Sequence, residues 1–297
     1  MNTKSLPSAI KRAFGLLFMA PVLCAPASRA DDIAVKTGQS IAFLGDSITQ
    51  NGYNNPGGYV RLVINGLEAS GIKAKAIPAG ISGNTSRDML ARLEGDVLQK
   101  KPDWMTLSCG VNDVWHGVKG VELEDYKSNI AQIVGRAQAT GVKVMILTST
   151  MIHENPDDSF NQKLAAYNDY LRSLAAEKHC LLADVNADMQ AALKETAAPG
   201  QTGNLLTVDG VHMNPLGNEM MAAGILKAFG VGDGQIKKDR KAWLDMPSTE
   251  VLNVKAGISA RQYLALKAEA AKRKASVDDM LHLELQKSVD ALLKPSP

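Results

Sequence analysis

Short apolar runs alternate along this chain with segments whose apolar residues recur at helical spacing. The runs have the length and composition of buried strands, and they lie at Ser40–Gly45, Lys73–Ile77, Trp104–Cys109, Val142–Thr148 and Cys180–Val185. The segments between them predict helices at Tyr59–Ser70, Ser86–Lys100, Leu123–Thr140 and Phe160–Lys178. Such alternation is typical of βαβ units. The pattern therefore predicts a three-layer α/β/α fold around a five-stranded parallel sheet of flavodoxin-like strand order.

The pattern changes at Pro247, beyond a last predicted helix that starts at Pro215. Residues 259–293 predict two helices, whose starts carry serines at capping-box spacing, Ser259 with Gln262 and Ser276 with Asp279. We therefore expect a main domain over residues 31–246 and a helical C-terminal extension over residues 247–297. The extension is expected to pack on the domain or on a second copy of the chain, as a homo-oligomer through these helices. A partner-binding role is the alternative.

The start of the chain has the pattern of a secretory signal. Three basic residues precede an apolar stretch over residues 13–23, and small residues follow at Ser28 and Ala30. This stretch is too short to span a bilayer, and no later run is long and apolar enough for a membrane helix. We therefore expect residues 1–30 to be a signal peptide cleaved near Ala30, and the protein to be exported, periplasmic or secreted.

The charge balance excludes one class of partner. The whole chain has a formal charge of +2, but residues 1–30 contain four basic residues and no acidic one, so the mature chain has a charge of −2. No basic block is dense enough for nucleic-acid binding. Nucleic acid is therefore not an expected partner.

Two cysteines lie beyond the predicted signal. Cys109 ends one predicted strand and Cys180 starts another, so they fall at opposite edges of a parallel sheet. Strands are roughly 17–20 Å long, whereas the Cα atoms of a disulfide lie within about 7 Å. We expect two buried free thiols.

Four polar, glycine-containing motifs follow predicted strands or precede the last helix. They are GDSIT at 45–49, ISGNTS at 81–86, GVND at 110–113 and DGVH at 209–212. In a parallel sheet, groups that follow strands meet at the carboxyl edge. Ser47 lies where the first strand ends and a loop opens, and Asp209 and His212 can supply an orienting acid and a base from one loop. A serine needs both groups to become a nucleophile, so the chain predicts a serine ester hydrolase.

The same edge offers donors for a developing oxyanion. The backbone N–H groups of Ser47 and Gly83 and the side-chain amide of Asn112 are the candidates. Glycine at position 83 allows close approach of the backbone to a substrate. Turn or loop formation is the alternative role for Gly83 and Asn112.

Together the four motifs resemble those of the SGNH (GDSL-type) hydrolase family, in the same order over residues 38–230. The resemblance implies a serine esterase that needs no metal or organic cofactor. It also implies Ser47 as nucleophile, His212 as base and Asp209 as its partner, with Ser47, Gly83 and Asn112 around the oxyanion. No G-x-S-x-G elbow is present, which argues against the lipase-type α/β-hydrolase fold.

Four further residues are expected to line the substrate pocket, namely Asp46, Trp115, His116 and His153. For His116 and His153 we expect a place in the pocket wall or at the surface and not the role of catalytic base, because no acid stands at a fixed sequence offset from either. No metal-ligand spacing such as H-E-x-x-H occurs, so no metal is expected.

The substrate class is open at this level. A glycan or small-molecule ester with a short acyl or acetyl group suits an exported enzyme, and lipid acyl esters are the main alternative, as in lysophospholipases and acyl thioesterases of this family. A non-catalytic binding protein of the same fold is a further alternative. A flavodoxin-like nucleotide binder is disfavoured, since the loop after the first strand lacks a phosphate-binding run.

Overall fold

A computed structural model describes residues 33–196, 204–246 and 257–294. The chain divides into two compact units, Met1–Glu250 and Val251–Pro297. The predicted signal peptide over residues 1–30 lies outside the described residues. The predicted domain boundary after residue 246 borders another segment outside them and stays a prediction.

The first unit alternates strands and helices. Its strands are β1 (Ser40–Gly45), β2 (Lys75–Gly80), β3 (Trp104–Ser108), β4 (Lys143–Leu147) and β5 (Leu181–Ala183). Its described helices are α1 (Ser47–Asn54), α2 (Tyr59–Ala69), α3 (Ser86–Asp96), α4 (Val111–Trp115), α5 (Leu123–Ala139), α6 (Ser159–Glu177), α7 (Val185–Thr196), α8 (Pro215–Ala228) and α9 (Asp233–Leu244).

The strands form one parallel sheet in the order β2-β1-β3-β4-β5. Helices α2, α8 and α9 pack on one another, as do α3, α5 and α6, and the sheet lies between the two groups. The predicted α/β/α fold and flavodoxin-like order are confirmed. Because the strand order reverses at β1 and β3, the loops that follow these two strands border the crevice where α/β proteins bind ligands.

Burial explains why β1 was predictable to the residue. Ile41, Ala42, Phe43 and Leu44 are all fully buried, since β1 is paired on both sides and covered on both faces. A continuous apolar run is the pattern of such a strand. The sequence therefore predicts both its place and its bounds.

Strand β2 differs from its prediction. It was expected at Lys73–Ile77 but extends from Lys75 through Pro78 to Gly80. Proline donates no backbone hydrogen bond, which ends a central strand but is tolerated at a sheet edge. Because β2 pairs only with β1, Pro78 does not end it.

Several helices were not predicted, or end earlier than predicted. Helices α1 and α4 begin inside the polar motifs, where the sequence pattern indicated loops. Helix α3 ends at Asp96, and its predicted last residues form a 3₁₀ turn at Leu98–Lys100. Such turns are common where helices end.

Both cysteines are free thiols, as expected, but only Cys109 is buried. Cys180 is half-buried, so the expectation of two buried thiols was wrong. The reason is its position: Cys180 directly precedes β5, which lies at an edge of the sheet.

The second unit is a pair of helices, α10 (Ala260–Lys272) and α11 (Val277–Leu292), each capped by the serine that precedes it. Ala270 and Met280 are its buried apolar residues among those described. Association with a second copy through these helices stays a prediction. Among the helices of the described ranges, none combines the length and the hydropathy that crossing a bilayer requires.

Candidate active site

Ser47 is the first residue of α1 and not a loop residue as predicted. Asp46 is the N-cap, and its carboxylate accepts a hydrogen bond from the backbone N–H of Ile48 at 2.9 Å. Aspartate is a preferred N-cap because it satisfies an N–H that the helix leaves unpaired. At Gly45 a β-carbon would overlap the side chain of Thr49, so glycine allows α1 to turn directly off the end of β1.

Asp209 and His212 lie in a loop that leads into α8. One oxygen of Asp209 accepts from the backbone N–H groups of Val211 and His212 at 3.0 and 2.8 Å. The other lies 2.7 Å from Nδ1 of His212. One carboxylate thus shapes the loop and orients the imidazole.

The loop brings His212 to Ser47 across the sheet edge. Nε2 of His212 lies 2.9 Å from Oγ of Ser47, although the two residues are 165 positions apart. Burial by itself raises the pKa of Asp209, but the hydrogen bonds from His212 and Val211 outweigh it and lower the pKa below its ordinary value. An ionised Asp209 assigns the Nδ1 proton to the imidazole, so that Nε2 accepts from the serine hydroxyl.

Gly83 lies in the loop after β2, with φ +77°. A β-carbon there would meet no atom within 4 Å, so the backbone conformation and not space favours glycine. The loop contacts the start of the chain's first motif: the N–H of Ile81 donates to the carbonyl of Gly45 at 3.1 Å, and Ser82 donates to the side chain of Gln50 through both its N–H and its hydroxyl. Gly83 is thereby held beside α1.

Asn112 lies in the first turn of α4 and is buried. Its side-chain nitrogen donates to the carbonyl of Asn84 at 2.9 Å. An amide nitrogen carries two hydrogens, so this bond uses one of them. The first three motifs are therefore connected by hydrogen bonds.

Two carboxylates lie buried beneath these motifs. Burial raises the pKa of Asp46 to about 6, and the nearby Asp113 contributes to the rise. Burial also raises the pKa of Asp113, whose carboxylate accepts from the N–H of Ser86 at 2.9 Å and so connects α4 to the start of α3. Within the described residues, no three His, Cys, Asp or Glu side chains converge as a metal ion would require.

The other predicted pocket residues lie around the same edge. Trp115 is the last residue of α4 and His116 is its C-cap, three and four positions after Asn112; both are exposed, with their rings 6.2 Å apart. The N–H of His153 donates to the carbonyl of Gly210 at 2.7 Å, which places His153 against the Asp209–His212 loop. Contact of these residues with a substrate stays a prediction.

His153 has an acid partner that the sequence pattern did not indicate. Its Nδ1 lies 3.0 Å from the carboxylate of Asp158. The φ of His153 is +60°, which turns the chain back toward the start of α6, where Asp158 is the N-cap. Sequence spacing could not indicate this pair, since it depends on a positive φ, which is uncommon for residues other than glycine.

Arg92 of α3 was not singled out from the sequence. Its guanidinium donates to the carbonyl of Gly45 at 2.8 Å and to the side chains of Asn84 and Asp96 at 2.6 and 2.9 Å. Its side chain is only 15% exposed, whereas a basic residue on an amphipathic helix is usually solvated. Burial distinguishes Arg92, and no local sequence pattern does.

The profile of the GDSL-like Lipase/Acylhydrolase family matches residues 43–220, a range that includes all four motifs. The acetylxylan esterase of Geobacillus stearothermophilus is 30% identical over 215 residues, which cover 66% of this chain and 96% of that protein. Esterase TesA of Pseudomonas aeruginosa is 33% identical over 110 residues, 37% of this chain and 53% of its own. A Bacillus subtilis protein described as the uncharacterized lipoprotein YqeF is 26% identical over 184 residues, 53% of this chain and 72% of its own.

Solved structures agree with the sequence comparison. The acetyl xylan esterase AlAXEase superposes with a TM-score of 0.60 at 32% identity, covering 64% of this chain and 98% of that one. Axe2, the acetylxylan esterase from Geobacillus stearothermophilus, gives 0.61 at 29% identity, covering 67% and 98%. Structures of its catalytic mutants replace a serine, an aspartate, or a histidine three positions after that aspartate by alanine. The family profile covers more than half of the chain and the fold agrees, so this protein belongs to the GDSL-like lipase/acylhydrolase family and is a carboxylic ester hydrolase.

Proposed function

We propose that the protein hydrolyses short acyl esters, foremost acetyl esters of carbohydrates, through an acyl-serine intermediate on Ser47. The observation that carries this proposal is the unbroken chain of hydrogen bonds from Asp209 through His212 to Ser47, at 2.7 and 2.9 Å. These distances are those of a nucleophile, its base and an orienting acid.

In the first step the hydroxyl oxygen of Ser47 attacks the ester carbonyl carbon, and Nε2 of His212 takes the hydroxyl proton. The π electrons of the carbonyl move to its oxygen, which becomes the oxyanion, and Asp209 stabilises the imidazolium that forms. The C–O bond to the alcohol then breaks, and His212 returns the proton to the departing alkoxide. Water then attacks the carbonyl carbon of the acyl-serine while His212 takes a proton from it. The bond to the serine oxygen breaks, His212 returns the proton to that oxygen, and the carboxylic acid and free Ser47 result.

The oxyanion is bound by the backbone N–H groups of Ser47 and Gly83 and by the side-chain amide of Asn112. The N–H of Ser47 lies in the first turn of α1, where the helix supplies no acceptor. Donors fixed before reaction cost no reorganisation in the transition state. The hydrogen bonds between the first three motifs support this pre-arranged geometry.

The catalytic mutants of the Geobacillus stearothermophilus acetylxylan esterase support the assignment of the triad. They replace a serine, an aspartate, and a histidine three positions further on. Asp209 and His212 have the same order and spacing. The residue types, and the spacing of the aspartate and the histidine, thus support Ser47, Asp209 and His212 as the triad.

Acetyl esters of carbohydrates are proposed because two relatives with high coverage are named acetylxylan esterases. The exposed ring of Trp115 offers an apolar face to a sugar ring, and His116 and His153 offer polar groups to its hydroxyls. These three residues, with Asp46 beneath the nucleophile, form the proposed pocket on the alcohol side of the ester.

A second substrate class is favoured by one observation. Four exposed apolar side chains lie in or near the motifs along the chain: Ile81, Trp115, Val118 and Val208. An apolar rim suits a longer acyl chain, as in lysophospholipids or acyl thioesters. Esterase TesA, a relative over part of its length, is compatible with this alternative.

We also propose that the protein is exported. The basic, apolar and small-residue pattern over residues 1–30 supports this, as does the relative described as a lipoprotein. N-terminal sequencing of the mature protein should find a start near Asp31. A mature chain that still begins at Met1 would contradict export by signal cleavage.

The substrate proposal is tested with p-nitrophenyl esters of increasing acyl length and with acetylated and deacetylated xylo-oligosaccharides. We expect kcat/KM to be highest for acetate and acetate to be released from the acetylated sugar. Ser47→Ala should abolish both activities, and the matched hydroxyl variant Ser173→Ala, at an exposed serine of α6 outside the four motifs, should keep them. A maximum at long chains would favour the lipid alternative, and full activity of Ser47→Ala would refute the catalytic assignment.

A further inference from the structure

Glu154 makes three short contacts with the segment that leads to the Asp209–His212 loop. Its carboxylate accepts from the backbone N–H groups of Leu205 and Leu206 at 2.6 and 2.8 Å. It also accepts from the hydroxyl of Thr207 at 2.6 Å. Leu206 is fully buried and Thr207 nearly so, so water does not replace Glu154 as the acceptor at these positions.

The contact with Thr207 continues into the catalytic loop. An ionised carboxylate only accepts, so the Thr207 hydroxyl donates its hydrogen to Glu154 and its lone pairs face away. The same oxygen accepts from the N–H of Gly210 at 3.0 Å. Glu154 thereby sets the orientation of a hydroxyl that holds the residue directly after Asp209.

The carbonyl of Gly210 contacts the loop between β4 and α6, which also contains Glu154. This carbonyl accepts from the N–H of His153 at 2.7 Å, and the φ of Gly210 is +93°. The loop itself is held by Asn161 of α6, which exchanges hydrogen bonds with both backbone groups of Ile152 and donates to the carbonyl of His153. The loop that contacts Gly210 is therefore itself anchored on α6.

We propose that Glu154 is a positioning residue for the acid–base pair: it holds residues 205–207 and, through Thr207, the turn at Gly210, so that His212 meets Ser47 at hydrogen-bond distance. This inference rests on the proposed roles of Asp209 and His212. It assigns Glu154 no contact with substrate. Its effect is on proton transfer, because a displaced imidazole transfers protons to and from the reacting oxygens less well.

The test compares two acetate esters whose leaving groups differ in whether they must be protonated in order to depart. A p-nitrophenolate departs unprotonated, whereas the ethoxide of ethyl acetate needs the proton that His212 returns. The variants are Glu154→Gln and Thr207→Val, singly and together. We expect Glu154→Gln to lower kcat/KM by about 10²-fold on ethyl acetate but only about 10-fold on p-nitrophenyl acetate, since small misplacements cost rates of this order.

The matched control is Asp103→Asn. Asp103 also accepts from a backbone N–H and a hydroxyl, both of Ser40, but it lies directly before β3 at the opposite edge of the sheet. We expect it to keep the parental ratio of the two kcat/KM values. Circular dichroism establishes that each variant is folded.

Thr207→Val should show the same selective loss, and the double variant should lose no more than the larger single loss, because Glu154 acts on the turn at Gly210 through Thr207. If Glu154→Gln does not fold, Thr207→Val carries the test, since it leaves the two backbone contacts of Glu154 in place. Equal losses on both esters in the folded variants, or additive losses in the double variant, would overturn the inference.

His212→Ala separates the two levels of the proposal. An inactive His212→Ala beside an unselective Glu154→Gln would refute only the positioning role. An active His212→Ala would refute the proposed function itself.

Discussion

Replacing Asp46 by asparagine removes a buried negative charge directly beside the proposed nucleophile. Asp46 is only 2% exposed, and asparagine keeps the oxygen that accepts from the N–H of Ile48. The helix cap therefore survives the change. What is lost is the ionisation of a carboxyl whose pKa burial and Asp113 raise to about 6.

The magnitude follows from that value. A rise of the pKa from 3.8 to about 6 corresponds to about 3 kcal/mol between the two protonation states. Below pH 3.8 the carboxyl is protonated in both folded and unfolded chains, so it has no pH-dependent effect. Between that pH and about 6 only the unfolded chain ionises, so the folded state binds more protons and loses stability as the pH rises. Above pH 6 the cost is constant.

The assay is urea unfolding of the parent and Asp46→Asn, followed by tryptophan fluorescence at intervals from pH 4 to pH 7.5. We expect the stability of Asp46→Asn relative to the parent to increase by about 2–3 kcal/mol across this range. Asp125→Asn is the matched control, because Asp125 is an exposed carboxylate in the first turn of α5. Its relative stability should change by less than about 0.5 kcal/mol.

The reasoning is refuted by a flat difference between Asp46→Asn and the parent. It is refuted equally by a difference of opposite sign, which would mean that the folded protein favours the ionised form of Asp46. A flat difference would show that hydrogen bonds to the carboxylate offset the effect of burial, and the opposite sign would show that they outweigh it.

Three further predictions concern two of the proposed oxyanion residues, Asn112 and Gly83, and the proposed acid Asp209. Asn112→Ala should lower kcat by roughly 10²–10³-fold with KM little changed, as the loss of one oxyanion donor does. Asp209→Asn should lower kcat further, toward the ~10⁴-fold loss of a comparable change in a serine protease. Steady-state kinetics on p-nitrophenyl acetate measures both losses, and a rise in KM with kcat intact would make Asn112 a binding residue instead. Gly83→Ala should lower the free energy of unfolding by about 1–2 kcal/mol, because alanine disfavours the φ of +77°. The melting temperature should therefore fall by roughly 2–8 °C, and an unchanged melting temperature would show that the loop relaxes.

The local patterns of the sequence determined most of the fold. The apolar run of β1 and the alternation of strands and helices predicted the α/β class and the strand order, because periodicity and burial on both faces act over a few neighbouring residues. The residue types of the four motifs, read in order, predicted the family. Their proximity followed from one topological fact, that the ends of parallel strands meet at one edge.

The tertiary structure decided what depends on position within the sheet. β2 continues through Pro78 and Cys180 is half-exposed because both lie at edges, and edge positions are set by the whole strand order. Ser47 starts a helix and not a loop, since Gly45 lets α1 pack closely against the end of β1.

The contacts that support the proposed site could not be predicted from the sequence, for a further reason. Arg92 contacts Gly45, which lies 47 positions away in the sequence, and Glu154 contacts residues 205–207, which lie 51–53 positions away. His153 pairs with Asp158 because the φ of His153 is positive. Such contacts have no periodic signature, because they depend on the paths of loops that local propensity does not determine. The sequence thus determined which chemical groups reach the sheet edge, and the packed structure determined which groups hold them there.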